Sequence, residues 1–301
     1  HEPRNDAAPT KAGGKTPLAA RRSPTKLQFP SYAKDGMISY PDVVQPVLDE
    51  YCTECHSGPN PDGGYDLTGG KTRFFSISYD NLLGVSRSYR QHEMQTGRML
   101  PSEAKKGKPL VHFYWLLRTP SGVGVPLETG SHASRLPDYL TEKHCKKKIP
   151  DEKKRRIYNW IDANAPYYGT YRSSRRYSAG YRDAFTDPQT KRNADWFTGD
   201  FSQVYNQRCG ACHGAFPHPN DKDRVWSGHF AWVNLSKPEL SAALTAHLAK
   251  KAGGRGLPTV KEKPKAAPLF SSKKDSDWQK MLGAIRQGHA ILQKTPRVDG
   301  K

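Results

Sequence analysis

The chain has 301 residues, enough for two domains of roughly 100–200 residues each. It carries 26 glycines and 24 prolines, which excludes a coiled coil or a tight helical bundle, and no stretch approaches the ~20 apolar residues of a membrane-spanning helix. Its 48 Lys and Arg against 29 Asp and Glu give a formal charge of +19, so acidic partners are favoured, at low salt above all.

Residues 1–35 are rich in Pro, Ala, Gly and basic side chains, and they read as a flexible basic N-terminal arm. Val44, Val47, Leu48, Tyr51 and Cys55 then recur at helical spacing. That amphipathic helix runs into Cys52-Thr53-Glu54-Cys55-His56. After it, Gly63-Gly64 and Gly69-Gly70 read as turns, and Phe74 to Tyr79 as a short strand. Pro137 suits the first turn of one helix with Leu136, Leu140 and His144 on a single face. Asp151 is placed as the cap of a helix that buries Ile157, Trp160 and Ile161, and Asn164-Ala165-Pro166 ends it.

Residues 169–193, with Arg172, Arg175, Arg176, Arg182, Lys191 and Arg192, read as a basic linker. A second helical stripe, Phe201, Val204, Tyr205, Cys209 and Cys212, leads into Cys209-Gly210-Ala211-Cys212-His213. Residues 237–252 and 276–294 read as helices, with Gly253-Gly254 closing the first. The chain is thus expected to hold a first module at 36–168 and a second at 194–301. The expected class is mainly α and loop-rich, with minor short strands.

Both motifs read C-x-x-C-H, the attachment pattern of c-type haem. Two thiols three residues apart on a helical turn lie on one face, where each can form a thioether to a haem vinyl group. The adjacent histidine reaches the iron from the same side. Cys52, Cys55, Cys209 and Cys212 are therefore the expected attachment residues for two haems, with His56 and His213 as proximal iron ligands. A zinc site would have to join cysteine pairs more than 150 residues apart. A thiol redox pair leaves the repeated histidine unexplained.

The distal ligands separate electron transfer from small-molecule chemistry. For the first haem the candidates are His144, then Met99 and His132, with His92 and His112 also within the module. For the second, His289 continues the face of Trp278, Met281, Leu282 and Ile285, ahead of His247 and His229; His218 is too near His213 to cross the haem plane. Cys145 is a leftover thiol open to burial, to pairing between chains or to ligating the first iron in place of His144, and Lys146 to Lys148 favour a surface position.

Several segments resemble the haem-bearing part of planctomycete-type di-haem cytochromes related to the hydrazine synthase alpha subunit. They include Tyr40-Pro41-Asp42-Val43-Val44-Gln45-Pro46-Val47-Leu48, Gly130-Ser131-His132-Ala133-Ser134-Arg135-Leu136 and Trp160-Ile161-Asp162-Ala163-Asn164-Ala165-Pro166-Tyr167-Tyr168-Gly169. Trp232-Val233-Asn234-Leu235 and Pro296-Arg297-Val298-Asp299 extend the likeness, which spans most of residues 38–299. The resemblance implies two haems in cytochrome-c-like modules and a late second distal ligand, as His289 would be. It does not carry the synthase chemistry. A tyrosine a few residues after the first motif engages the catalytic haem there, whereas Asn60 stands four after His56 here and the first tyrosine is Tyr65.

The expected function is electron transfer, free or within a larger redox complex, outside the cytoplasm after removal of a signal peptide. The basic runs 141–156 and 250–265 would dock an acidic redox protein. Nucleic acid ranks last as a partner, because no nucleic-acid motif is present. An enzyme with one open-site haem acting on a small nitrogen compound or peroxide is the alternative, and a structural cytochrome of an assembly the third reading.

Overall fold

A computed structural model describes residues 21–26, 28–34, 36–72, 75–83, 110–112, 127, 129–169, 194–213, 232–257 and 268–294, with Cys212 and His213 described in their backbone alone. The chain divides into two compact units, 1–36 and 37–301. In the first unit the described residues turn at Pro30, whose carbonyl accepts from the Ala33 N–H, and Ala33 in turn accepts from Gly36. The second unit is mainly helical and loop-rich. Its described residues contain two isolated bridges, Lys71 with Ser76 and Leu248 with Phe270, in place of strands. No described helix is long and apolar enough to cross a membrane.

Each motif is preceded by the same construction. Tyr40–Val44 is a π-helical turn that passes into α1, Gln45–Tyr51, and then Cys52. Phe197–Phe201 is a π-helical turn that passes into the later helix Ser202–Arg208, and then Cys209. The upstream part of each stripe is the buried face, while Tyr51 and Cys209 are half-buried and Cys55 is exposed. Val43, Val44, Val47 and Leu48 are buried in the first, and Phe201, Val204 and Tyr205 in the second.

The rest of the first half wraps α1. The segment expected as a strand at Phe74 to Tyr79 is instead α2, Ile77–Leu83, with Phe74 outside the described residues. Its polar residues are buried but paired, which removes the cost that an alternating strand would have avoided. The Thr72 hydroxyl donates to Asp80 at 2.7 Å, and Ser78 donates to Gln45 Oε1 at 2.5 Å. The single helix expected through Leu136, Leu140 and His144 is two short ones. They are α3, Leu136–Tyr139, and α4, Glu142–Cys145. Leu140 leaves helical geometry (ψ 48°), and Thr141 starts again as an N-cap whose side chain accepts from the His144 N–H. α5, Asp151–Asp162, begins after Pro150, so Asp151 opens the first turn rather than capping it. There its negative charge still suits the helix N-terminus. Asn164 and Ala165, both at positive φ, end it. Trp160 lies fully buried against Tyr40, ring centres 5.0 Å apart.

In the second half, α6 is Ser202–Arg208 and α7 is Gly210–His213. The helix expected over 237–252 is broken into a 3-10 turn at Pro238–Leu240, α8 at Ala242–Thr245 and a 3-10 turn at Lys250–Ala252. The break follows from where its carbonyls go. Thr245, Ala246 and Leu248 accept from Arg255, Leu257 and Gly256, and Ala249 accepts from Gly254 as well as from Ala252 in the following 3-10 turn. This fold-back requires glycine at 254, where a Cβ would lie 2.2 Å from the Leu248 carbonyl oxygen. Gly253 closes the last turn in the left-handed region (φ 86°). α9, Ser276–Lys294, buries Trp278, Met281, Leu282 and Ile285 against Phe197, Phe201, Tyr205, Leu244 and Leu248.

Candidate functional site

At the first motif the chain leaves α1 in a tight turn, with the Cys55 and His56 N–H groups donating to the Cys52 carbonyl at 3.3 and 3.0 Å. The His56 ring is oriented by its Nδ1, 3.0 Å from the Asp62 carbonyl oxygen. That contact engages Nδ1 and leaves Nε2 as the free ring nitrogen. Histidines that bind metals are held in this way, with the second nitrogen tied to a carbonyl or carboxylate. The loop that supplies Asp62 is itself fixed, since Leu67 N–H donates back to the His56 carbonyl at 2.8 Å.

The His144 ring stands opposite His56. The two ring centres are 6.0 Å apart and the planes 29° from parallel. His144 is presented by α4, flanked by Tyr139 at 5.0 Å, and exposed. An iron between two imidazole nitrogens at about 2 Å each would set the ring centres roughly 6 Å apart. The ring-centre spacing of the pair is that of two imidazoles on one iron, and Cys52 and Cys55 sit on the same turn as His56.

One surface ion pair ties the segment after His144 to the motif, and a second ties α5 to the end of α1. Lys147 reaches Glu54 at 2.8 Å and Lys153 reaches Glu50 at 3.3 Å. Lys147 holds the Glu54 carboxyl below its ordinary range. The Tyr51 hydroxyl, and after it Lys153, does the same for Glu50.

Cys145 is half-buried, not at the open surface that Lys146 to Lys148 implied. Lys146 turns the chain through the left-handed region (φ 55°), and Cys145 Sγ points inward to the Tyr139 carbonyl at 3.4 Å and to Cys52. Burial, and after it the neighbouring Cys145, push the Cys52 thiol up to about 12, so it is held as S–H at neutral pH.

The other candidates are placed differently. His132 is exposed in a turn whose Ser131 N–H donates to Asp162 at 2.7 Å. His112 is buried at 2 % exposure, with its backbone N–H on Ser134 Oγ at 2.8 Å. His92, Met99, His218 and His229 lie outside the described residues.

The entry to the second motif repeats that of the first, after which Gly210–His213 is helical where residues 53–56 form a turn. Cys209 N–H donates to the Tyr205 carbonyl at 2.7 Å, as Cys52 does to Leu48 at 2.8 Å. Arg208 anchors the end of α6 to the start of α9 through the Leu269 carbonyl at 2.9 Å, Asp275 at 3.5 Å and Asp277 at 3.6 Å. His289 is half-buried on α9, with Nδ1 2.5 Å from the Leu235 carbonyl oxygen, so it too keeps Nε2 for a ligand. His247, in the broken segment rather than on a helix face, has Nδ1 3.0 Å from the Leu257 carbonyl oxygen.

One residue with a central part passed unnoticed in the sequence. Gln45 is buried and donates to the Leu67 carbonyl at 3.0 Å and to Asp49 at 2.8 Å while accepting from Ser78. It locks α1, α2 and the loop behind His56 together. A glutamine one place after the buried Val43-Val44 pair was the available signal. Compared with protein families, with curated proteins and with solved structures, the chain matches none.

Proposed function

We propose that the chain is a di-haem c-type cytochrome that transfers electrons, free or as a subunit of a larger redox complex, outside the cytoplasm. The observation that carries this reading is the His56–His144 pair, 6.0 Å between ring centres, beside the Cys52/Cys55 turn. A haem iron with two protein ligands supplies one-electron transfer rather than small-molecule activation. Cys52 and Cys55 tether it, His56 is aimed by the Asp62 carbonyl, and His144 closes the sixth position against other molecules. Cys209, Cys212 and His213 repeat the attachment pattern, and His289 is the distal candidate there.

The exposed Lys143, Lys146 and Lys148 flank His144 along the chain, so positive charge sits beside the proposed distal ligand. Such a face suits an acidic redox partner, because complementary charge speeds encounter without tight binding. The rate with such a partner should fall steeply with ionic strength, and a salt-independent rate would reject electrostatic docking.

Stoichiometry tests the reading. A pyridine haemochrome assay should give two c-type haems per chain. With four of the five cysteines in thioethers, a thiol reagent in denaturant should then find one free thiol, Cys145. Haem extracted by acid acetone, or three or more free thiols, would defeat it.

A further inference from the structure

His289 on α9 and the first motif are joined by a short run of hydrogen bonds and backbone. His289 Nδ1 lies 2.5 Å from the Leu235 carbonyl oxygen. The Leu235 N–H donates to the Lys71 carbonyl at 2.8 Å, and four residues back along the chain the Leu67 N–H donates to the His56 carbonyl at 2.8 Å. Building on the di-haem reading, we propose that Leu235 and the segment Leu67–Lys71 form a relay along which electrons pass between the two haem sites, from His289 to His56 or back.

The run is constructed as a fixed element. Leu235 and Leu67 are 0 % and 4 % exposed. The Lys71 N–H donates to Ser236 Oγ at 3.0 Å, so Lys71 is bonded to the second half through both its backbone groups. Gln45 holds the Leu67 carbonyl, and the Ile77 N–H holds the Gly70 carbonyl at 2.7 Å. Asn234, 1 % exposed, lies so near Gly70 that a Cβ there would be 2.9 Å from both atoms of its amide group. Its side-chain oxygen is already committed to the Ser236 and Lys237 N–H groups, so the amide cannot swing away freely.

Tunnelling weakens less across covalent and hydrogen bonds than across gaps of the same length, and this relay contains no gap. One electron leaves the iron held at one site and reduces the iron held at the other. The hydrogen bonds stay made and no proton moves.

Gly70→Ala tests the relay, with Ser236→Ala as a second, milder variant and Gly283→Ala as the control. Gly283 is exposed on α9 and a Cβ there meets nothing within 4 Å. In the holoprotein, one haem is reduced by a light flash and the redistribution of the electron is timed. Haem content, low-spin EPR signals and both midpoint potentials are measured beside it, together with hydrogen exchange at the Leu235 amide. The expected result is a several-fold slower redistribution and faster exchange at Leu235 in Gly70→Ala, a smaller change of the same sign in Ser236→Ala, and none in Gly283→Ala, with potentials and haem content unmoved. An unchanged rate in Gly70→Ala despite faster Leu235 exchange overturns the relay and leaves the di-haem reading standing. An unaltered chain without two low-spin haems overturns both.

Discussion

Residues 40–56 and 197–213 share a five-residue π-helical turn, a seven-residue α-helix and a cysteine closing its last hydrogen bond, yet their side chains are mostly different. Tyr40 stands where Phe197 does, Leu48 where Tyr205 does, and Glu50 does for the first helix end what Arg208 does for the second. The divergence lies in how the two distal candidates are held. His144 rides on a four-residue helix held by a threonine cap and a surface ion pair. His289 rides on a nineteen-residue helix packed into a core. One distal candidate is thus held by local polar contacts that salt and pH can loosen, and the other by burial. On the proposed reading, the first site is the exchangeable port and the second the rigid one.

The largest effect expected from breaking this contrast is at Gly288, one residue before His289. A Cβ there would lie 2.6 Å from the Trp196 ring and 3.1 Å from Leu235. Gly288→Ala should cost about 1–3 kcal/mol by overpacking, read in denaturant unfolding, and disturb the second haem alone. An unchanged midpoint would show that α9 is not closely seated there. Thr141→Ala should cost roughly 1 kcal/mol through loss of the cap of α4. Its signature is a weakened His144 at the first haem, seen as new carbon monoxide binding, with the second haem untouched.

The smallest effect is in pH. Glu50 and Glu54 are held below their ordinary value of 4.5 in the fold, so their ties contribute above that pH and are lost as pH falls through the folded values. Lys147 is held above 10.5, so its share is present below that pH and lost as pH rises further. The spectrum of the first haem should therefore respond first on acidification, and 1 M salt should narrow the difference. Equal acid sensitivity of the two haems would count against the contrast.

The sequence made much of this legible where a repeating apolar stripe met a fixed motif. Val44, Val47 and Leu48, like Phe201, Val204 and Tyr205, form helices because nothing polar competes for that face. The stop at Asn164-Ala165-Pro166 and the glycine close at 253 were legible for the same reason, being imposed by local backbone chemistry. The misreadings share another cause. Ser76, Ser78 and Asp80 are buried polar groups satisfied by Gln45, Thr72 and one another, and no period announces such pairing. The carbonyls of 245–249 find partners at 254–257, which breaks a helix that propensity favoured. Leu136, Leu140 and His144 keep helical spacing, but Thr141 restarts the helix, and His144 reaches His56 by that turn rather than by sharing a face with the leucines. The inward turn of Cys145 depends on the left-handed Lys146, which a run of lysines hides.

Carbon monoxide binding to the ferrous His144→Gly variant tests the pairing of His56 with His144 most directly. Removing the second axial imidazole should let the first haem take one carbon monoxide per chain, while the unaltered first haem takes none. A first haem that already binds carbon monoxide in the unaltered chain, or one that still refuses it in His144→Gly, would contradict the assignment.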